Sequence, residues 1–199
     1  DVIHAKRYVD PVTGSHVAPI YQTSTFILPD FDTAVYLNQH IDKGYVYSRF
    51  GNPSVREFEE KIAYLEGGED AVGTASGLGA ISTAVMSLIK QGDHIIFGDV
   101  IYGCTFALFT KILPSFGIEY SIVDTTDVDA IKAAIRPNTT LVYVETPANP
   151  VLKISDIQEI SKMLKEYEDI KLVVDSTFAS PYLQNPLKLG ADVVVHSAT

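Results

Sequence analysis

The segment Thr140-Leu141-Val142-Tyr143-Val144-Glu145 is a continuous apolar run that ends on a charged residue. Runs of this kind predict strands, and the others lie at 71–75, 94–98, 119–123, 171–175 and 192–196. Apolar residues between them recur at helical spacing, which predicts helices at 78–90, 105–113, 128–135 and 157–167. Continuous rather than alternating runs are typical of a parallel sheet with both faces covered. The sequence therefore predicts an α/β fold, doubly wound or of a related three-layer kind.

The N-terminal region has a different character. Residues 1–50 show no sustained periodicity, apart from one short helix predicted near 32–40. Asn52-Pro53 then supplies a helix N-cap followed by proline at the first helical position, and Gly67-Gly68 ends the apolar repeat that follows. We therefore predict an irregular N-terminal arm over 1–50 and an α/β domain over 51–199.

Composition narrows the possible functions. The chain of 199 residues is 46% hydrophobic and carries a formal net charge of −10, with its basic residues dispersed. Nucleic acids and anionic membranes need clustered Lys and Arg, so neither is an expected partner. No apolar stretch approaches the roughly 20 residues of a spanning helix. One cysteine and scattered histidines favour neither a disulfide framework nor a metal site. We expect a soluble, acidic protein of the cytoplasm.

Polar residues collect where the predicted strands end. In open α/β sheets, ligands bind beyond the carboxyl ends of the strands. The residues at these ends include hydroxyls, an amide, carboxylates and a glycine turn, and they are Ser76-Gly77-Leu78-Gly79, residues 99–104, residues 146–150, Asp175-Ser176-Thr177, Ser197 and Thr199. Because all would lie on one edge of one sheet, we expect a ligand site there.

Two of these segments indicate specific chemistry. Ser76-Gly77-Leu78-Gly79 precedes a helix whose N–H groups and dipole favour a phosphate, although a tight turn without a ligand has the same pattern. It lacks the full G-x-G-x-x-G of a dinucleotide site and the GK[ST] of a P-loop. Asp175 ends an apolar strand, where a buried carboxylate needs a cation such as a protonated pyridine nitrogen. A helix N-cap or an ion pair with Lys or Arg is the alternative.

Tyr102-Gly103-Cys104 follows the strand predicted at 94–98. An aromatic residue beside glycine could stack on a flat cofactor, and its hydroxyl could transfer protons. The alternative is a tyrosine that merely packs at a loop edge. We expect Cys104 to be a small buried residue rather than a reactive thiol, since the sequence supplies no adjacent cation to favour a thiolate.

The chain resembles the pyridoxal-phosphate-dependent enzymes of cysteine and methionine metabolism. The resemblance covers nearly the whole chain, and the segments that carry it are Pro19-Ile20-Tyr21-Gln22-Thr23-Ser24-Thr25-Phe26, Tyr47-Ser48-Arg49-Phe50-Gly51-Asn52-Pro53 and His196-Ser197-Ala198-Thr199. It implies fold type I, the aspartate aminotransferase-like architecture with a three-layer, mostly parallel sheet. It also implies the cofactor pyridoxal 5′-phosphate (PLP).

The segment His196-Ser197-Ala198-Thr199 resembles a strand end in this family. In the family, the residue that follows this strand end is the Schiff-base lysine. We expect that lysine immediately after Thr199. Either the chain is a fragment that stops before it, or the lysine carries the cofactor covalently and is not counted as an ordinary residue.

The resemblance assigns roles around the phosphate and the ring. The main-chain amides of Gly77 and Leu78 and the hydroxyls of Ser197 and Thr199 would hold the phosphate. Tyr102 would stack on the ring, Asp175 would pair with the pyridine nitrogen, and Asn149 would approach the ring oxygen. Two further residues complete the implied set of cofactor-binding positions, and they are Ser76 and Thr177.

The implied assembly involves more than one subunit. Tyr47 and Arg49 would reach the phosphate bound by a neighbouring subunit, where the guanidinium fork suits phosphate oxygens. The site would then need a homodimer, and two such dimers form the tetramer usual in the family.

Within the family, Tyr102-Gly103-Cys104-Thr105 resembles the methionine γ-lyase branch, whose members carry Cys where the siblings usually carry Gly. The implied reaction is α,γ-elimination from L-methionine, a small sulfur amino acid, with Tyr102, Cys104 and Asp175 as the catalytic residues present. A sibling reaction, on cystathionine or O-acetylhomoserine, is the first alternative. A non-catalytic domain that binds phosphate ligands is the second.

Overall fold

A computed structural model describes residue 3 and residues 9–199 of the chain. Residues 1, 2 and 4–8 of the predicted arm lie outside the described residues. The chain forms two compact units, Asp1–Gly73 and Thr74–Thr199. The arm and domain boundary near residue 50 stays a prediction.

The first unit contains two α-helices in its described part, α1 (Phe31–Gln39) and α2 (Pro53–Glu66), with a 3-10 turn at Ile41–Lys43. The Asn52 side chain caps α2 by accepting a hydrogen bond from the Ser54 amide, and Pro53 occupies the first turn. Gly67 ends the helix in the left-handed conformation, with φ of 71°. Both helices expected from the sequence in this region are therefore confirmed.

The second unit is built on a five-stranded, fully parallel sheet with strand order β2-β1-β3-β4-β5. The strands are β1 (His94–Gly98), β2 (Glu119–Val123), β3 (Thr139–Glu145), β4 (Lys171–Asp175) and β5 (Val193–Val195). Five of the six predicted strands are confirmed, three of them with the bounds that the apolar runs indicate.

Helices cover both faces of this sheet. They are α3 (Gly77–Leu88), α4 (Gly103–Ala107), α5 (Val128–Ala134), α6 (Ile157–Leu164) and α7 (Ser180–Leu183). Alternate strand residues enter two separate cores: Phe97 and Tyr143 pack on the side of α3 and α4, whereas Ile96 and Val142 pack on the side of α5 and α6. This is why the strand sequences are continuously apolar. Within the described part of the chain, no helix has the length and apolar character to cross a lipid bilayer.

The structure differs from the predicted elements at two places. The strand predicted at 71–75 is absent, because side chains satisfy amides there: Ala71 donates to Asp70 at 2.8 Å and Gly73 donates to Glu59 at 2.7 Å. The helix predicted at 105–113 begins at Gly103, becomes a π-turn at Leu108–Ile112 and continues as a 3-10 turn at Leu113–Phe116. Pro114 lacks the N–H that an α-helix would use there, so the regular hydrogen-bond pattern cannot continue. A further 3-10 turn lies at Pro186–Leu189.

Candidate active site

The predicted site residues of the second unit lie at the carboxyl edge of the sheet and at the start of α3. Tyr102 follows β1, Asn149 follows β3, Asp175 ends β4, and Ser197 follows β5. The register of the parallel strands pairs Glu145 with Asp175, so the ends of β3 and β4 are level. The sheet therefore brings residues that are far apart in sequence to one rim.

The start of α3 lies directly against the segment after β5. A Cβ atom on Gly77 would come 2.6 Å from the Cβ of Ser197, closer than side chains can approach, so only glycine fits there. The Ser76 hydroxyl caps the helix by accepting from the Gly79 amide at 3.0 Å. The first N–H groups of a helix have no partner within it, so the Gly77 and Leu78 amides stay available to an anion.

Hydroxyl groups complete this surface. The Ser197 and Thr199 hydroxyls are hydrogen-bonded to each other at 2.8 Å, and Thr199 is exposed. The Leu78 side chain packs against the core on this face, so its main chain alone is offered to a ligand. The Gly77 and Leu78 amides, beside the Ser197 and Thr199 hydroxyls, form a group of donors suited to a phosphate monoester such as that of PLP. We call these four residues the phosphate cradle.

Asp175 is buried, and its carboxylate is held by three donors. The Tyr143 hydroxyl donates to Oδ2 at 3.0 Å, while the Thr177 amide and hydroxyl donate to Oδ1 at 3.0 Å and 2.6 Å. The Thr177 hydroxyl oxygen also accepts from the Ser197 amide at 2.9 Å, which links this carboxylate to the phosphate cradle. A carboxylate has about four acceptor positions. One position therefore stays open to a further N–H donor, as a protonated pyridine nitrogen would be.

Neither alternative for Asp175 is seen among the residues that the structure describes. In the stretch from 9 to 199, no Lys, Arg or His side chain pairs with Asp175. The next helix, α7, begins at Ser180 with Ala179 as its N-cap, so Asp175 does not cap it. One of its side-chain partners is Tyr143, which is fully buried. Burial raises the pKa of the Tyr143 phenol well above its usual range, with the Asp175 and Glu145 carboxylates adding to the effect. Tyr143 is thus a permanent hydrogen-bond donor.

Tyr102 and Cys104 lie together at the rim. Tyr102 is 45% exposed, and a hydrogen-bonding interaction with the Cys104 side chain raises the pKa of its phenol. Electrostatic repulsion between their anionic forms adds to that shift. Cys104 is exposed, so the expectation of a small buried cysteine is wrong. The reason is its place in the first turn of α4, beyond the edge of the sheet.

Glu145 belongs to this site, and sequence reasoning did not single it out. Its side chain is 6% exposed, and its two oxygens accept hydrogen bonds from the main chain at Tyr102 and Asn149. Burial raises the pKa of the Glu145 carboxyl, the two amides partly offset that rise, and the nearby Asp175 adds to it. The only available signal was a charged residue at the end of an apolar strand.

Tyr47 and Arg49 belong to the first unit. The Arg49 guanidinium carbon lies 5.1 Å from the centroid of the Tyr47 ring and 5.4 Å from that of Phe50. Arg49 is exposed, and no carboxylate in the described part of this unit pairs with it. Its positive charge therefore remains available for an external anion. Among the residues that the structure describes, no group of three or more His, Cys, Asp or Glu side chains could hold a metal ion.

Comparison with known proteins identifies the family of the chain. The family described as Cys/Met metabolism PLP-dependent enzyme matches residues 1–199. The chain belongs to this family. The predicted family, the fold type I architecture and the PLP cofactor are confirmed.

Individual relatives show how close the likeness is. An L-methionine gamma-lyase of Porphyromonas gingivalis is 47% identical over 194 residues, which are 96% of this chain and 48% of that protein. A cystathionine beta-lyase of Lactococcus lactis subsp. cremoris is 48% identical over 198 residues, 100% of this chain and 50% of that protein. A Campylobacter jejuni structure with N′-pyridoxyl-lysine-5′-monophosphate has a TM-score of 0.92 at 33% identity, over 98% of this chain and 48% of that one. The chain thus spans about half the length of the curated relatives it matches.

Proposed function

We propose that the protein is a PLP-dependent carbon–sulfur lyase that converts L-methionine and water to methanethiol, 2-oxobutanoate and ammonia. The observation that carries the choice of methionine is the exposed Cys104 side chain, two residues after Tyr102 at the rim. The Porphyromonas relative, named L-methionine gamma-lyase, supports the same choice.

The cofactor, when bound, supplies an electron sink that stabilises negative charge on the substrate carbon next to its ring. Asp175 keeps that sink effective, because its open acceptor position is suited to holding a proton on the pyridine nitrogen. The Gly77 and Leu78 amides, with the Ser197 and Thr199 hydroxyls, anchor the phosphate. Asn149 lies at the next strand end, where its side chain would approach the ring oxygen.

Tyr102 supplies the proton that the departing sulfur needs. The raised pKa keeps the proton on the phenol oxygen at neutral pH, so the group is in the protonated form that a general acid needs. In the proposed role, Tyr102 stacks on the ring and its hydroxyl donates a proton to the leaving thiolate. Cys104, beside that hydroxyl, lines the space for the sulfur substituent and acts by shape and hydrogen bonding.

A complete site needs a second subunit in this proposal. Tyr47 and Arg49 contribute to the phosphate site of a neighbour, so the functional unit is a homodimer, and two dimers assemble into a homotetramer. No carboxylate among the described residues pairs with the Arg49 guanidinium, which supports this role. The protein would work in the cytoplasm on a small amino acid.

A sibling activity on cystathionine also has specific support, since the Lactococcus relative is named cystathionine beta-lyase and is as similar as the first. Separate assays of the full-length protein with L-methionine, L-cystathionine and O-acetyl-L-homoserine distinguish the candidates. We expect the highest kcat/KM with methionine, measured as equal amounts of methanethiol and 2-oxobutanoate. A higher value with either other substrate would assign the sibling reaction, and no turnover by cofactor-loaded protein would favour a non-catalytic binding domain.

A further inference from the structure

Glu145 connects two loops of the site with a single side chain. Oε2 accepts a hydrogen bond from the Tyr102 amide at 2.7 Å, and Oε1 accepts one from the Asn149 amide at 2.8 Å. Tyr102 lies on the loop after β1 and Asn149 on the loop after β3, strands that are neighbours in the sheet. One carboxylate therefore sets the spacing between these two loops.

Only a carboxylate can make this bridge. Both partners are N–H donors, so the bridging group must offer an acceptor at each of its two ends. A glutamine has one acceptor oxygen, and its NH₂ group would face the second amide donor to donor. A buried amide without an acceptor destabilises the fold. A charged Glu145 satisfies both amides, and this offsets the cost of its own burial.

Glu145 and Asp175 are level at the ends of β3 and β4, yet they are satisfied differently. Asp175 keeps an open acceptor position, whereas Glu145 receives the main chain at both oxygens. In the part of the chain from 9 to 199, no Lys or Arg pairs with Glu145 either. The carboxylate of Glu145 is thus used on the protein itself rather than offered to a ligand.

We propose that Glu145 is a positioning residue, whose bridge fixes the separation of Tyr102 from Asn149 and so the orientation of the cofactor ring between them. This inference rests on the proposed cofactor roles of Tyr102 and Asn149. The bridge itself does not depend on those roles and can be tested without them.

The test compares Glu145→Gln with wild type in the full-length protein. In cofactor-free protein, amide-resolved hydrogen exchange should show at least one of the Tyr102 and Asn149 amides exchanging roughly 5- to 30-fold faster in the variant, the loss expected for one main-chain hydrogen bond. In cofactor-loaded protein, the visible circular dichroism per bound cofactor should change, because the ring sits differently. Wild-type exchange at both amides would overturn the bridge, and faster exchange with unchanged dichroism would overturn the positioning role.

Asp93→Asn is the matched control. Asp93 is a buried carboxylate, 7% exposed, that accepts from the Lys90 amide at 2.9 Å, but it precedes β1 at the opposite edge of the sheet. This variant should lose stability while leaving both amides and the dichroism as in wild type. If it reproduces the Glu145→Gln changes, the effect is general loosening and the proposal fails.

Glu145→Asp keeps the inference testable if the glutamine variant does not fold. The charge is retained, but the side chain is shorter by one methylene and cannot reach both loops. Faster exchange at one amide supports the bridge, and wild-type exchange at both overturns it. Failure of the proposed function would look different, since it would appear in wild-type protein as a missing cofactor band, a preference for another substrate or no turnover, whereas the exchange of the two amides would still depend on Glu145.

Discussion

At the scale of single residues, two carboxylates at neighbouring strand ends differ in their hydrogen-bond partners and therefore in what they can bind. Asp175 is held by the Tyr143 hydroxyl and by Thr177, and it retains one acceptor position for a ligand cation. Glu145 gives both oxygens to main-chain amides. In the proposed site, the same functional group would therefore face the cofactor in one case and the protein in the other.

Asp175→Asn tests the ligand-facing carboxylate. The amide can still hydrogen-bond the ring but cannot favour a protonated nitrogen, so removal of the substrate Cα proton should slow by roughly 10²–10³-fold. The measurement is exchange of solvent deuterium into L-methionine by protein with matched cofactor content. Asp93→Asn, a buried carboxylate at the other edge, should exchange normally. Normal exchange in Asp175→Asn would make Asp175 a structural carboxylate only.

Cys104→Gly tests the choice of substrate. Removing the side chain next to the Tyr102 phenol should lower kcat/KM for methionine relative to cystathionine by one to two orders of magnitude, roughly the 1–3 kcal/mol that a small pocket change provides. Cys104→Ala removes the thiol without adding the backbone flexibility of glycine. We expect it to shift the ratio in the same direction. An unchanged ratio in both variants would remove the residue-level argument for methionine.

At the scale of elements, the site depends on how closely α3 approaches the segment after β5. A Cβ at Gly77 would meet Ser197 at 2.6 Å and its main-chain Cα at 3.2 Å, so neither flexible side-chain motion nor a small shift relieves the contact. The phosphate cradle is therefore a junction between two elements rather than a property of the helix.

Gly77→Ala should separate these elements. We expect destabilisation by about 1–3 kcal/mol, as for other overpacked sites, and weaker retention of the cofactor. Gly103→Ala is the control, because Gly103 also begins a helix and a Cβ there would meet nothing within 4 Å. Thermal unfolding and cofactor titration of both variants provide the comparison. Equal behaviour would contradict a close junction at Gly77.

Much of this architecture can be predicted from the sequence, and the reasons are local. The bounds of β1, β2 and β4 follow from apolar runs, and Asn52 and Gly67 mark the ends of α2 because caps are short-range signals. The segment at 71–75 also has an apolar pattern but no strand, since its amides find side-chain acceptors on α2 and the preceding loop. Such competition depends on tertiary neighbours, which a pattern does not contain.

The site itself was partly predictable for the same reason. Strand ends predict which edge holds Asp175, Tyr102 and Asn149, because parallel strands all end at one rim. The bridge made by Glu145 was not predictable, since its partners are main-chain amides. Such donors do not depend on the identity of the side chain, so they leave no signal in the sequence. The exposure of Cys104 likewise depends on where α4 begins, which differs from the predicted bound by two residues.

At the scale of the whole molecule, residues of two subunits form each site in the proposed assembly. Arg49→Ala should weaken cofactor retention because the guanidinium would no longer bind the neighbour's phosphate. Arg56→Ala in the same unit is the control, since Arg56 is already paired with Asp70 at 2.7 Å and Glu60 at 3.3 Å. Equilibrium dialysis of the cofactor against each variant should separate them.

Hybrid dimers show whether Arg49 acts in the site of its own subunit or in that of the neighbouring subunit. Arg49→Ala protein mixed with a variant lacking the cofactor lysine should regain activity, because one of the two hybrid sites then holds both intact residues. No recovery in hybrids shown to form would place Arg49 in the site of its own subunit or outside any site.

The most direct test of a PLP enzyme built on this sheet edge is peptide mapping of the full-length protein after borohydride reduction. The family resemblance of His196-Ser197-Ala198-Thr199 predicts that the residue after Thr199 is a lysine, and that the reduced cofactor is found on it. Reduction should also abolish the visible absorbance of the bound cofactor. A different residue after Thr199, or cofactor mass on a lysine elsewhere in the protein, would contradict the account.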